Sequence, residues 1–470
     1  MAIGAEALRE ECGVFGIFGH PDAARLAVLG LHALQHRGQE GAGVCAADAA
    51  GLRVHRGLGL VREVFGGREV ESLTGTAAIG HVRYSTWGGN SIANVQPLMA
   101  RVRDAEVAVS HNGNFVNAGA LRAELAQRGS LFAGTADTEL VLHLMALSGG
   151  SSLVNRLIEA MYQLQGAASL LVLSADRLIA LRDPHGFRPL VLGRLGEAWV
   201  VASETCALDL VGAQLEREIE PGELLVIDAS GAESVRPFPP VQRQACVFEH
   251  IYFARPDSEV FGRSVYAVRR TLGRVLAEEH PADADVVVPV PDSGVPAALG
   301  YAERSGLPMH FGLLRSHYKG RTFIEPDQAS RDLGVKLKLS PVRSVLEGRR
   351  VVVVDDSLVR GTTSQKIVAM LRSAGAREVH LRISAPPTIA SCHYGVDTPT
   401  REELIAHRLE LPAIRAFLGA DSLGYLSPAG LRAVQGDDAG RYCEACFTGR
   451  YPVRPGADPA DAQLRLFRST

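Results

Sequence analysis

The run Val351-Val352-Val353-Val354-Asp355-Asp356-Ser357-Leu358-Val359-Arg360-Gly361-Thr362-Thr363 constrains the fold more than any other segment of this chain. Four consecutive valines predict a strand buried on both faces, as in a parallel sheet covered by helices. The strand delivers two carboxylates to its C-terminal end, and the Gly- and Thr-containing loop after them opens a helix. Ligands of open α/β sheets bind at that end, where helix N-terminal N–H groups suit a phosphate. The adjacent carboxylates are available for sugar hydroxyls or for a hard cation such as Mg²⁺. A nucleotide hydrolase's acidic strand is a rival reading, but no Gly-x4-Gly-Lys-Ser/Thr loop partners it. An ordinary strand-to-helix turn capped by Asp and Ser is the bland one.

The strand-then-helix pattern recurs only in the second half: Asp285 to Val290 then Val295 to Glu303, and Arg350 to Val354 then Ser364 to Ala374. This alternation predicts a parallel sheet with crossover helices. The first half instead carries short alternating apolar segments broken by Gly and Asn, such as Ala77 to Val82 and Val107 to Ser110. These predict antiparallel sheets, with helices over Leu121 to Arg128 and Thr138 to Ala146. Val235-Arg236-Pro237-Phe238-Pro239-Pro240-Val241 interrupts both periodicities and reads as a linker. A chain of 470 residues is too long for one ordinary core. The expected division is 1–11 as a propeptide, 12–234, a linker over 235–245, and 246–470.

Composition excludes several classes. The chain is 46% hydrophobic and 21% charged, with a formal net charge of -3, so neither disorder nor nucleic-acid binding is expected. No apolar run is long enough for a membrane span, and the acidic N-terminus lacks a secretory signal, which together predict a cytoplasmic protein. Seven cysteines are too sparse for a disulfide scaffold.

Cys12 opens the run Cys12-Gly13-Val14-Phe15-Gly16-Ile17. If the preceding peptide bond is cut, one residue carries a thiol nucleophile and an α-amine of pKa about 7.7 to 8.0 that serves as its own base. The competing reading is a small apolar residue that starts a buried strand.

Four segments downstream of Cys12 are similar to class II glutamine amidotransferases of the N-terminal-nucleophile type. They are Leu34-Gln35-His36-Arg37-Gly38-Gln39-Glu40-Gly41, His81-Val82-Arg83-Tyr84-Ser85-Thr86, His111-Asn112-Gly113-Asn114, and Asp137-Thr138-Glu139. The resemblance implies that Arg83 binds the carboxylate of glutamine and Asp137 its ammonium. It also implies that the Asn112 side chain and the Gly113 N–H hold the oxyanion. Taken singly, His-Asn-Gly-Asn is a common turn and Asp137 a helix cap. Trp87 departs from the family pattern, which has a small residue there.

Val351 to Thr363 resembles the signature of type I phosphoribosyltransferases. That resemblance implies that Asp355 and Asp356 grip the ribose of phosphoribosyl pyrophosphate while Ser357, Arg360, Gly361, Thr362 and Thr363 hold its 5-phosphate. Val288-Pro289-Val290-Pro291-Asp292-Ser293-Gly294 is similar to the family's pyrophosphate loop, with Ser293 near Mg²⁺. One Mg²⁺ per subunit, held by Ser293, Asp355 and Asp356, is implied. The polar stretch Arg321 to Ser340 looks like the loop that closes over substrate, with Lys336 and Lys338 toward departing pyrophosphate. Solvated lysines on a loop face are the alternative.

Cys443-Glu444-Ala445-Cys446 alone could be a redox pair, half of a zinc site or coincidence. Cys246, Cys392, Cys443 and Cys446 fall where one branch of the glutamine phosphoribosylpyrophosphate amidotransferases carries [4Fe-4S] ligands, a branch made with a short propeptide. Thiolate chemistry itself is neutral between cluster and zinc. Cys45 and Cys206 are expected to be buried structural residues.

Nearly the whole chain, from Glu11 to about Pro452, resembles that family. The resemblance implies an αββα sandwich followed by a parallel-sheet phosphoribosyltransferase, and glutamine-dependent formation of 5-phosphoribosylamine, which opens purine biosynthesis. Ammonia would pass between the sites by a sheltered path. Purine nucleotide feedback and a homotetramer are further implications, with neither nucleic acid nor membrane as a partner. A sister amidotransferase with another acceptor, and a catalytically silent regulatory protein, are the alternatives.

Overall fold

The computed structural model describes residues 12–84, 91–315 and 339–455. The propeptide expected over 1–11, Trp87, and the loop lysines Lys336 and Lys338 lie outside the described residues.

The first half forms two antiparallel sheets. The seven-stranded sheet runs, in spatial order, Gln214–Glu218, Val191–Leu195, Ala198–Ala202, Gly13–Phe18, Ala77–Arg83, Gly41–Asp48 and Gly51–Leu58. The six-stranded sheet runs Gly231–Val235, Leu224–Asp228, Arg177–Arg182, Gly166–Leu173, Ala105–Phe115 and Leu98–Val102. Their facing sides share one core: Val14, Cys45 and Ile79 of one sheet pack with Ala108, Leu171, Ala180 and Ile227 of the other. Helices Ala23–Ala33 and Thr205–Val211 cover the outer side of the first sheet. Helices Thr138–Leu147 and Leu153–Gln163 cover that of the second. The result is the four-layer αββα sandwich expected of this half. A strand with helix on one side and sheet on the other is buried on both faces, which is why Gly13–Phe18 shows no polar alternation. Cys45 and Cys206 are buried in these cores, as expected.

Residues 236–244 form neither helix nor strand. Beyond them a four-stranded sheet runs Val286–Pro289, Arg350–Asp355, Glu378–Ile383 and Ser422–Tyr425, every pairing parallel. Alternate valines of the central strand face opposite sides. Val352 and Val354 pack with helices Val265–Glu279 and Val295–Ser305. Val351 and Val353 pack with Thr362–Ser373 and Leu411–Leu418. The first helix pair crosses backbone to backbone: a Cβ at Gly273 would lie 1.8 Å from the Ala297 carbonyl oxygen. Only glycine permits that approach.

Two local expectations shift. The helix read as Leu121 to Arg128 spans Ala118–Gln127. His111 to Asn114 do not form a turn; they continue the strand Ala105–Phe115, paired residue by residue with Leu170 to Ala167.

Candidate active sites

Cys12 stands at the start of a central strand whose first residue, Gly13, pairs with Val82. That register sets Cys12 against the Arg83–Tyr84 end of the neighbouring strand, and its thiol donates to the Tyr84 carbonyl at 3.5 Å. Arg37 Nε donates to the Cys12 carbonyl at 3.2 Å. Arg83 is almost fully buried. The two sheets meet here, because His81 Nε2 of one donates to the His111 carbonyl of the other at 3.1 Å.

That contact fixes the backbone of Asn112 and Gly113. The His111 N–H donates to Gln96 Oε1 at 2.6 Å, and the Phe115 N–H to Asp137 Oδ2 at 2.9 Å. Asp137 therefore uses its carboxylate across the site, and its side chain makes no cap for helix Thr138–Leu147. Asn112 is 1% exposed, and its Nδ2 has no acceptor among the described residues. A buried amide donor without a partner is costly, and a negative oxygen placed there would satisfy it. Gly113 has φ +152°, and a Cβ at this position would lie 2.0 Å from the Ala167 carbonyl oxygen. No other residue fits. The structure thus gathers Cys12, Arg83, Asn112, Gly113 and Asp137 around the junction of the two sheets.

The second site sits at the C-terminal end of Arg350–Asp355. Ser293, from the neighbouring strand's loop, donates its hydroxyl to Asp356 Oδ2, and Ser357 Oγ donates to Asp356 Oδ1 at 2.6 Å. The Asp356 N–H donates to Asp355 Oδ1 at 2.9 Å. Burial raises both carboxyls above their usual range, and for Asp355 the charge of Asp356 adds to it. Two buried carboxylates and a hydroxyl are hard oxygen donors that suit Mg²⁺. Gly361 takes the left-handed conformation, φ +85°, and turns the chain into helix Thr362–Ser373. Thr362 Oγ1 is buried with no partner among the described residues, at the mouth of that helix. An anion there would receive this hydroxyl together with the helix's first N–H groups. Arg360 pairs with Glu403 at 3.1 Å.

The four far-separated cysteines meet. Ala245–Cys246 and Tyr442–Cys443 pair in parallel with Cys246 opposite Cys443. The Ile389 and Ala390 N–H groups donate to the Cys446 carbonyl at 2.9 and 3.1 Å, which brings the Cys392 loop alongside. All four thiols line one cavity, with Phe187, Phe248, Tyr394 and Val396. The Tyr394 N–H donates to the Cys392 sulfur at 3.3 Å. Burial pushes the Cys443 thiol up to about 12. Burial, then the neighbouring thiols, pushes Cys446 well above its usual value. Soft donors around an apolar cavity fit a thiolate-held metal group. Among the described residues, no three His, Cys, Asp or Glu side chains are drawn together as around a single ion.

The cysteine loop also touches the first site. Asn114 Nδ2 donates to the His393 carbonyl at 2.9 Å, and a Cβ at Gly395 would meet Gly113 at 3.1 Å. Sequence reasoning missed the residues that tie these places together: Arg37, Arg188, Glu204, Glu249 and Arg269. No sequence signal singles them out: Arg269, for one, shares helix Val265–Glu279 with Arg270, Arg274, Glu278 and Glu279.

Fold and sites together define a glutamine amidotransferase joined to a phosphoribosyltransferase. Residues 81–210 match the glutamine amidotransferase domain family, and 262–388 match the phosphoribosyl transferase domain family. The chain is 58% identical to the chloroplastic amidophosphoribosyltransferase of Glycine max, over 95% of this chain and 79% of that one. It is 50% identical to the amidophosphoribosyltransferase of Bacillus subtilis (strain 168), over 95% of each. Among solved structures, the glutamine phosphoribosylpyrophosphate amidotransferase from B. subtilis complexed with ADP and GMP superimposes with a TM-score of 0.91 at 49% identity, covering 95% of this chain and 98% of that one. The chain belongs to the amidophosphoribosyltransferase family.

Proposed function

We propose that the chain makes 5-phosphoribosylamine from glutamine, phosphoribosyl pyrophosphate and water, releasing glutamate and pyrophosphate, as the first step of purine biosynthesis. The observation that carries this reading is that one chain folds both donor sets: the buried, unpartnered Asn112 amide beside the Cys12 strand, and the Asp355 to Thr363 loop beneath a phosphate-ready helix.

At the first site the Cys12 thiolate, formed by proton transfer to its own freed α-amine, attacks the glutamine amide carbon. Arg83 and Asp137 hold the carboxylate and ammonium of the substrate. Asn112 Nδ2 and the Gly113 N–H receive the oxyanion, whose collapse expels ammonia and leaves a γ-glutamyl thioester. Water cleaves the thioester to glutamate and returns the thiol. At the second site Asp355 and Asp356 orient the ribose, and the loop Ser357 to Thr363 holds the 5-phosphate. Ammonia attacks C1, pyrophosphate leaves, and the added nitrogen gives up a proton. Bound Mg²⁺, held by Ser293, Asp355 and Asp356, would offset the charge of the pyrophosphate. Lys336 and Lys338 keep their sequence-based assignment to that leaving group. A sheltered path keeps ammonia from dilution and protonation in bulk water.

Cys246, Cys392, Cys443 and Cys446 would hold a [4Fe-4S] cluster. Thiolate chemistry is neutral between this cluster and one tetrahedral zinc, and the family resemblance is what favours the cluster. A solved relative is complexed with ADP and GMP. Purine nucleotide feedback on a homotetramer extends the proposal. Plant relatives carry a chloroplastic label; here the cytoplasm is proposed. No helix among the described residues is long and apolar enough to cross a membrane.

The decisive test is Cys12→Ala. It should abolish glutamine-dependent synthesis and spare synthesis from added ammonia; equal loss of both would sink the division of labour.

A further inference from the structure

Arg37 is 1% exposed and holds the Cys12 carbonyl, and its guanidinium is gripped from both halves of the chain. Arg37 Nη1 donates to Glu204 Oε1 at 2.5 Å, within the amidotransferase half. Arg37 is also held by Glu249, beyond the linker: Nη1 donates to Oε2 at 3.0 Å and Nη2 to Oε1 at 2.7 Å. This is a two-point grip that fixes the plane of the guanidinium and therefore the direction of Nε. Glu249 is fully buried and also receives Arg188 Nη1 at 3.4 Å. It begins a π-helical turn, Glu249–Phe253, that Arg269 holds at its second residue and just past its end. Arg269 Nε donates to the His250 carbonyl and its Nη2 to the Ala254 carbonyl, both at 2.8 Å. The same guanidinium lies close enough to Asp356 of the phosphoribosyl site to interact with its charge.

We propose that Glu249 is a positioning residue for the glutaminase nucleophile: the phosphoribosyltransferase half supplies the carboxylate that aims Arg37, and through Arg37 the main chain of Cys12. The glutaminase site is then incomplete without the second half. The turn that carries Glu249 is anchored by Arg269 through the His250 and Ala254 carbonyls. This inference rests on the reading of Cys12 as nucleophile.

Glu249→Gln keeps the volume and leaves Arg37 paired with Glu204, so the fold has reason to survive. Misplacement of a reacting group by about 1 Å costs about 10²-fold in rate. The expected result is a fall of that order in kcat for glutamine-dependent synthesis, with KM for glutamine within threefold and ammonia-dependent synthesis within twofold of the parent. Alkylation of Cys12 by a glutamine-like chloroketone should slow by the same factor. The double variant Arg37→Gln/Glu249→Gln should be no slower than Arg37→Gln alone, because both act through one contact. Glu249→Asp, whose carboxylate is one methylene short, should recover part of the loss and serves if the Gln variant does not fold. Parent-like alkylation, parallel loss of both activities, or losses that multiply in the double variant would each overturn the proposal. If Cys12→Ala retained glutamine-dependent synthesis, the nucleophile reading itself would fail, whatever Glu249 does.

Discussion

Replacing Asn112 by alanine should damage turnover far more than folding. The amide Nδ2 is buried and has no acceptor among the described residues. A donor in that state costs about 1–3 kcal/mol. Truncation relieves this penalty and loses packing contacts of similar worth, so the variant should keep its stability to within about 1 kcal/mol. Catalysis has no such offset. The oxyanion exists only in the tetrahedral state, and loss of one donor to it costs about 10²–10³ in rate, or about 2.7–4 kcal/mol. Steady-state assays with glutamine should therefore show kcat reduced by that factor, KM for glutamine nearly unchanged, and ammonia-dependent synthesis at the parent level. Thermal melting should superimpose on the parent's. A loss below tenfold, or an equal loss with ammonia, would refute the assignment of Nδ2 to the oxyanion.

Asp356→Asn should abolish synthesis from both glutamine and ammonia. It should also raise Tm by about 2–4 °C, the shift produced by about 1 kcal/mol in a domain of this size, because one of two crowded buried carboxyls is neutralised; the check is melting alongside both assays. Anaerobically purified protein should contain about four irons and four acid-labile sulfides per chain, and Cys392→Ser should lose them together; stoichiometric zinc would favour the single-ion reading. Burial holds His81 down to about 3 and His250 down to about 4. Both are neutral when folded and take protons first when unfolded, near 6.5. The stability they allow is complete above that pH and is lost as pH falls toward 4. Denaturant titrations at pH 7 and 5 should differ by roughly 2 kcal/mol for each histidine, and His250→Gln should remove its share of the difference.

The phosphoribosyl loop was legible because its chemistry is contiguous. Strand, carboxylates, glycine and helix start follow one another from Val351 to Thr363, and a local pattern is enough to place them. The cysteines and the Cys12 set are scattered, so residue types and order pointed to them through a family likeness. Periodicity could not show that His111 to Asn114 lie in a strand, because His, Asn, Gly and Asn carry no apolar alternation and are turn-forming residue types. Glu249 was illegible for a different reason. A glutamate amid Phe248, His250 and Ile251 has no sequence mark of its partner, and Arg37 is over two hundred residues away in the chain. Only the fold brings the two together. Arg360, read from the motif as a phosphate residue, also pairs with Glu403, a partner that no loop motif displays.

The central claim is that one chain couples a glutaminase to phosphoribosyl transfer. Its most direct test is the stoichiometry of glutamate and pyrophosphate released by anaerobically purified protein given glutamine, phosphoribosyl pyrophosphate and Mg²⁺. Equal amounts of the two products are predicted, whereas glutamate without pyrophosphate, or neither product from protein with Cys12 exposed, would contradict the account.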